Sequence, residues 1–341
     1  MSNIKGILIF LVVFGHFIEV YKERFYDLYI FFYSFHMPLF IFISGYFAKR
    51  ANMKKIINLV LTYLIFQTLY KGFFSIVFMS NQLEYTVPYF QLWYLLSMVF
   101  WYAIAIAMLK VKKINKYKFP ILLAILMISL LSRYATEDIY TILNAIFPGF
   151  NNYSFSFQRN FSFMIFFFIG FFMNKEMMEK VRNVVRRKTL VTLISIFIFF
   201  ILIQYANKHN LEMIFRGPFG VEVLTESTVP YFIDILICYG ISLYFCFLLL
   251  NIVSSKKSII TKWGDNSLQI FLFHAFAVIP ITYFPSILGG LNSLLLTLIL
   301  FVLAIAVVTV LSHELFVKYT NWLCKPYFTI INKIKSSKKA A

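Results

Sequence analysis

Acidic residues are scarce. Asp and Glu number 14 in 341 residues, against 32 Lys and Arg, and charged types together make up 13%. A water-soluble domain carries roughly a quarter of its residues as charges, so that class is excluded. Cysteine numbers three, too few for a disulfide scaffold, and no zinc-type spacing is present. Cys238 and Cys246 are eight positions apart on one expected helix, about 12 Å of rise and beyond disulfide reach. There is no internal repeat, no low-complexity segment beyond a short basic tail, and no loop long enough for a second soluble domain. No small-x-small cleavage site follows the first apolar run, so that run is expected to be retained.

What is present is apolar: 61% hydrophobic and 20% aromatic residues. They fall in ten blocks, at 3–21, 27–48, 55–79, 88–109, 117–134, 158–174, 189–206, 230–254, 266–285 and 292–317. About 20 such residues cross a bilayer as a helix. The expected fold is therefore all-α, a polytopic integral membrane protein of about ten transmembrane helices. A single membrane domain is expected over 1–317, followed by a basic tail over 318–341.

The net charge is +18. In a membrane chain this reports topology rather than nucleic acid, because Lys and Arg collect in cytoplasmic loops. Lys49, Arg50, Lys54 and Lys55 follow the second block, and segments 110–116, 175–188, 255–265 and 318–341 hold 4, 6, 3 and 6 basic residues. The alternate loops 22–26, 80–87, 135–157, 207–229 and 286–291 hold 2, 0, 0, 2 and 0. Both termini are expected in the cytoplasm.

Ionisable residues inside such blocks are costly and point to function. Lys5 and His16 lie on the first block, eleven residues apart, so they share one helix face about 16 Å apart. Glu19, at the i+3 position, is placed to orient the imidazole. His36 lies mid-block, and Pro38 beside it removes a backbone donor and frees the Ser34 carbonyl. Ser44 and Gly45 permit close helix approach. His274 sits halfway along the ninth block, while His313 is expected at the interface. Lys71 and Asp234 are expected to form a structural ion pair. The plain alternative for each is packing: a snorkelling lysine, or a histidine bonded to a backbone carbonyl.

The first block reads KGILIFLVVFGH, a basic residue, ten positions and a histidine, and the second reads YSFHMPLFIFISGYF. Together they resemble acyltransferase family 3, in particular its compact branch related to fucose 4-O-acetylase. QLWYLLSMVFWY at 91–102, RNFSFMIFFFIGFF at 159–172 and WGDNSLQIFLFH at 263–274 are similar to later family segments. The sequence departs from larger relatives in lacking Arg-x-x-Arg at the third span and a Glu after the span-four tryptophan.

The resemblance implies a membrane O-acyltransferase, most simply an O-acetyltransferase. It would move an acyl group from cytoplasmic acyl-CoA to a hydroxyl of a cell-surface or lipid-linked glycan. Implied catalytic residues are His16, His36 and Glu19. Lys5, Lys54 and Lys55 would meet the acyl donor, and Trp93, Arg159 and His274 would line the pocket. No bound cofactor, metal or nucleic acid is implied, and acyl-CoA is a co-substrate. The lipid bilayer is the expected surrounding, in a bacterial cell membrane; a homo-oligomer is left open. Direct transfer and an acyl-histidine intermediate both remain open, as does the identity of the acyl group. Competing readings are a glycan transporter or flippase, and a haem or metal protein using His16 and His36. Neither accounts for the Lys-x₁₀-His spacing joined to SFHMP.

Overall fold

The computed structural model describes residues 1–78, 84–183, 188–209, 211–218 and 228–340. The loops expected at 80–87, 175–188 and 207–229 lie partly outside them. Among the described residues the structure is helical, with no strand. In chain order the helices are α1 (Ser2–Glu19), α2 (Tyr26–Phe47), α3 (Met53–Phe78), α4 (Trp93–Leu109), α5 (Lys118–Tyr134), α6 (Thr136–Ile146), α7 (Phe157–Ser162) and α8 (Met164–Phe172). There follow α9 (Lys175–Arg182), α10 (Lys188–His209), α11 (Leu211–Arg216), α12 (Thr228–Ile252), α13 (Ile259–Asp265), α14 (Ser267–Phe273) and α15 (Ala275–Tyr283). The last are α16 (Ser286–Gly289), α17 (Ser293–Leu311), α18 (Glu314–Cys324) and α19 (Pro326–Ala340).

Among the described residues seven helices are long and apolar enough to cross a bilayer, and two bent pairs each supply one more such length. The remaining expected block, 189–206, coincides with α10, whose apolar stretch Leu190–Tyr205 is shorter. Burial separates centre from rim. The span Tyr26–Arg50 is 67% buried and Ser2–Glu19 is 56% buried, whereas Ile114–Tyr134 is 11% buried. With Tyr231–Ile252 of α12, also 56% buried, the first two helices form the core of the bundle, and α5 presents most of its apolar surface outward, as a lipid-facing helix does. Close approach is needed where α2 crosses α8. A Cβ on Gly45 would meet the Phe167 carbonyl, and one on Gly170 would meet the Phe42 carbonyl.

The sixth and ninth expected spans are not straight. The first bends by 56° between α7 and α8, the second by 70° between α13 and the α14–α15 run. The cause in the first is a diverted acceptor. The Tyr239 hydroxyl donates to the Ser162 carbonyl, and the Phe166 amide turns to the Phe163 carbonyl one residue closer. At the second break the Asn266 side chain donates to the carbonyls of Lys262 and Ser312, an alternative to helix continuation that Asn offers readily.

One further expectation changes. Lys71 and Asp234 do not pair: the Lys71 ammonium lies 5.6 Å from the Tyr89 ring centre, and Asp234 accepts from the Tyr205 hydroxyl. The tail is built of α18 and α19 with a break at Lys325, and the Cys324 carbonyl accepts from Asn58 and Thr62 of α3. All three cysteines are free and buried.

Candidate active site

Two cavities lie end to end along α1. The larger, about 360 Å³, is lined by His16, Glu19, Tyr33, His36, Arg159 and Arg216 among others. The smaller, about 260 Å³, is mostly apolar and has Lys5 in its wall. Val12, Met37 and Phe271 belong to both walls and form the partition between them. Gln91 fixes one side of that partition, donating from Nε2 to the Phe271 carbonyl at 2.9 Å and to the Tyr70 hydroxyl at 2.7 Å. The shared face of Lys5 and His16 thus serves two chambers, one residue in each.

The histidines are held in one tautomer. His16 Nδ1 lies 3.2 Å from Glu19 Oε2. An ionised carboxylate only accepts, so Nδ1 carries a proton, and in the neutral ring Nε2 is the nitrogen with the lone pair. The same logic applies to His36, whose Nδ1 meets the Phe32 carbonyl, and to His274, whose Nδ1 meets the Ile270 carbonyl at 3.0 Å. Glu19 is itself fixed: the Tyr33 hydroxyl donates to Oε2 at 2.6 Å, and Arg216 Nη2 lies 3.6 Å from Oε1.

His274 does not line the cavity. It is fully buried, and its ring lies against that of His16, 5.4 Å between centres and 22° between planes. It backs the His16 imidazole. Lys54 and Lys55 line neither cavity; Lys54 is exposed and Lys55 half-buried. Trp93 and Arg159 line the larger cavity, with the Arg159 guanidinium carbon 4.9 Å from the Trp93 ring centre.

The expected carbonyl at Ser34 is indeed free of its helical donor, and Ser242 of α12 donates to it. Pro38 thereby ties α2 to α12 directly behind His36.

Sequence reading missed the short helix α11. Its C-terminal carbonyls, which a helix cannot satisfy internally, are taken by side chains from other helices. Arg133 donates to Ile214 at 3.1 Å, Arg159 to Arg216 at 3.0 Å and Ser162 to Gly217 at 2.9 Å. Gly217 has φ +85°, the left-handed geometry that ends a helix, and a Cβ there would strike Phe163. This capture sets Arg216 between Glu19 and Glu212, the latter 3.3 Å away. Lys22 completes the cluster at 3.0 Å from Glu212. Burial works against the Arg216 cation, but Tyr29, Glu19, Tyr33 and Glu212 outweigh it, and the guanidinium is held above its ordinary pKa. A charged pair in the polar 207–229 loop was the one available signal, and nothing local ties it to His16.

Among the described residues no group of three or more His, Cys, Asp or Glu is placed to hold a metal ion. The arrangement is instead an oriented imidazole with a carboxylate behind it, at the meeting of two chambers in a membrane bundle. A family model described as an acyltransferase domain matches residues 1–313. The chain belongs to acyltransferase family 3. It is thus a multi-pass membrane acyltransferase, and the family match covers every residue of the site. No curated protein and no solved structure matches it.

Proposed function

We propose that this family member is an O-acyltransferase of the cell membrane, taking its acyl group from cytoplasmic acyl-CoA and passing it to a glycan hydroxyl. The observation that carries the reading is the His16–Glu19 pair, with Nε2 free, in the wall of a cavity that abuts a second one containing Lys5. The phosphates of the donor would meet Lys5 and the basic residues at that end of the bundle, since ammonium pairs well with phosphate oxygens. The thin, mostly apolar pantetheine arm suits the smaller chamber, and the thioester would pass the Val12–Met37–Phe271 partition to reach His16.

A sugar hydroxyl is a poor nucleophile until its proton is removed. His16 Nε2 accepts that proton as the hydroxyl oxygen attacks the thioester carbonyl. The new C–O bond forms, the C–S bond breaks, and the departing CoA sulfur takes the proton back from the imidazolium. Glu19 holds the ring and stabilises its positive charge in between. His36, its own Nε2 free, lines the same cavity in a T-shaped contact with Tyr33, 4.9 Å between ring centres, where it would bind the incoming hydroxyl or the carbonyl. The acetyl group is the acyl group favoured by the family resemblance.

The test compares purified wild-type protein and His16→Ala, reading thiol release from acetyl-CoA together with alkali-labile ester on a glycan acceptor. His16→Ala should lower turnover about 10²–10⁴-fold with normal membrane abundance. Near-normal ester transfer by His16→Ala would end the general-base role. Ester formation by neither protein, with glycan moved across vesicles instead, would favour a transporter.

A further inference from the structure

Among the described residues, the charges around the larger cavity do not balance. Lys22 and Arg216 face Glu19 and Glu212 in one cluster of two cations and two anions. Glu19 has both oxygens engaged, by His16 and Tyr33 on one and Arg216 on the other. Arg159 stands apart. Among the described residues no carboxylate pairs with it, and its one hydrogen bond is from Nε to the Arg216 carbonyl. Its plane is held by Trp93, 4.9 Å from the guanidinium carbon, with Tyr153 at 5.5 Å. Trp93 is in turn backed by Phe163, stacked at 5.6 Å. Fixing Nε and the plane leaves the two Nη groups as a rigid donor fork on the cavity wall.

A partly enclosed guanidinium that no described carboxylate pairs is costly to keep. Its fork matches the two oxygens of a carboxylate or phosphate, and matches a neutral hydroxyl poorly. The phosphates of the acyl donor do not supply this anion, because they belong at the Lys5 end, beyond the Val12–Met37–Phe271 partition.

We propose that Arg159 recognises an anionic group on the acyl acceptor, a carboxylate or a phosphate close to the hydroxyl that is acylated. This rests on the acyl-transfer reading above and narrows it to a substrate class. Arg159 docks the anion, Tyr153 lies beside the sugar, and the hydroxyl is delivered to the free Nε2 atoms of His16 and His36.

The full-length protein in lipid nanodiscs is given acetyl-CoA and two matched pairs of acceptors. One pair is methyl glucoside and methyl glucuronide; the other is dodecyl glucoside and dodecyl-phosphoryl-glucose. The wild type should favour the anionic member of at least one pair by about tenfold or more in kcat/KM. Preference in the first pair assigns the anion to a sugar carboxylate, and in the second to a lipid-linked phosphate. Arg159→Gln should reduce the anionic-to-neutral ratio about 10- to 100-fold, chiefly through KM, and Arg159→Lys should restore part of it. Equal use of neutral and anionic acceptors by the wild type overturns the proposal without any variant. So does Arg159→Gln lowering both members of a pair in the same proportion, the pattern of a group that stabilises the transition state. Direct titration of each acceptor by tryptophan fluorescence separates the two readings. If no acceptor turns over, acyl transfer fails, yet anion-selective binding lost in Arg159→Gln still upholds this site, and unselective binding removes it.

Discussion

At the scale of single residues, the site depends on which nitrogen of each histidine carries the proton. Glu19 is the residue that decides this for His16, and Tyr33 is the residue that holds Glu19. Glu19→Gln keeps the size but loses the charge that stabilises the imidazolium. We expect kcat to fall about 10²-fold or more, with little change in KM for acyl-CoA, measured by thiol release. Tyr33→Phe removes only one hydrogen bond to a charged acceptor and should cost roughly tenfold. A Tyr33→Phe loss equal to that of Glu19→Gln would mean that the hydroxyl acts on substrate directly. Behind His36, Ser242 supplies the donor that Pro38 withholds from Ser34. Ser242→Ala should therefore destabilise by about 1–3 kcal/mol, the cost of an unpaired buried carbonyl. Adding Pro38→Ala returns a backbone N–H, so the double variant should lose less than the sum of the two singles. Thermal unfolding in detergent measures all three.

At the scale of elements, the helix crossing and the captured helix are the two parts most open to disturbance. Gly45→Ala or Gly170→Ala places a methyl group against a facing carbonyl. Either should cost about 1–3 kcal/mol, as overpacking does, and full stability in both would show that α2 and α8 can separate freely. Arg133 is fully buried and lies away from the cavity wall, yet it holds the α11 end through Ile214. Arg133→Leu should therefore speed proteolysis around 211–218 and reduce activity, although residue 133 touches no substrate. Unchanged proteolysis there would show that Arg159 and Ser162 suffice to hold α11.

At the scale of the whole molecule, the proposed acyl transfer has donor and acceptor entering from opposite ends of the bundle. The Lys5 chamber is also walled by Phe47, which Lys49, Arg50, Lys54 and Lys55 follow in sequence, and the positive-inside tendency assigns that end to the cytoplasm. An impermeant thiol reagent should label Asn144→Cys from outside whole cells and leave Lys112→Cys untouched; the reverse result would invert the orientation. The native cysteines give little background because all three are buried. Lys5→Ala should raise KM for acyl-CoA roughly tenfold, while Lys5→Arg, which keeps the charge, should retain more function. Equal, full activity in both would remove Lys5 from the donor path.

The sequence by itself determined the apolar blocks, the shared face of Lys5 and His16, the His16–Glu19 pairing and the freed Ser34 carbonyl. These follow from helix rise, helix period and proline chemistry, all local quantities that a linear string carries. The tertiary structure decided the rest. The bend at Phe163 depends on Tyr239, and the bend at Asn266 on Ser312, partners far along the chain. His274 turned out to stand behind His16 rather than beside the cavity, and Lys71 faced Tyr89 rather than Asp234. Arg216 and Glu212 joined the site only because three side chains from α5 and α7 seize the end of a six-residue helix. Helical period says which way a side chain points around its own axis. Which neighbour it then meets depends on the azimuth and tilt of other helices, and those are set by packing contacts between residues that no local pattern links.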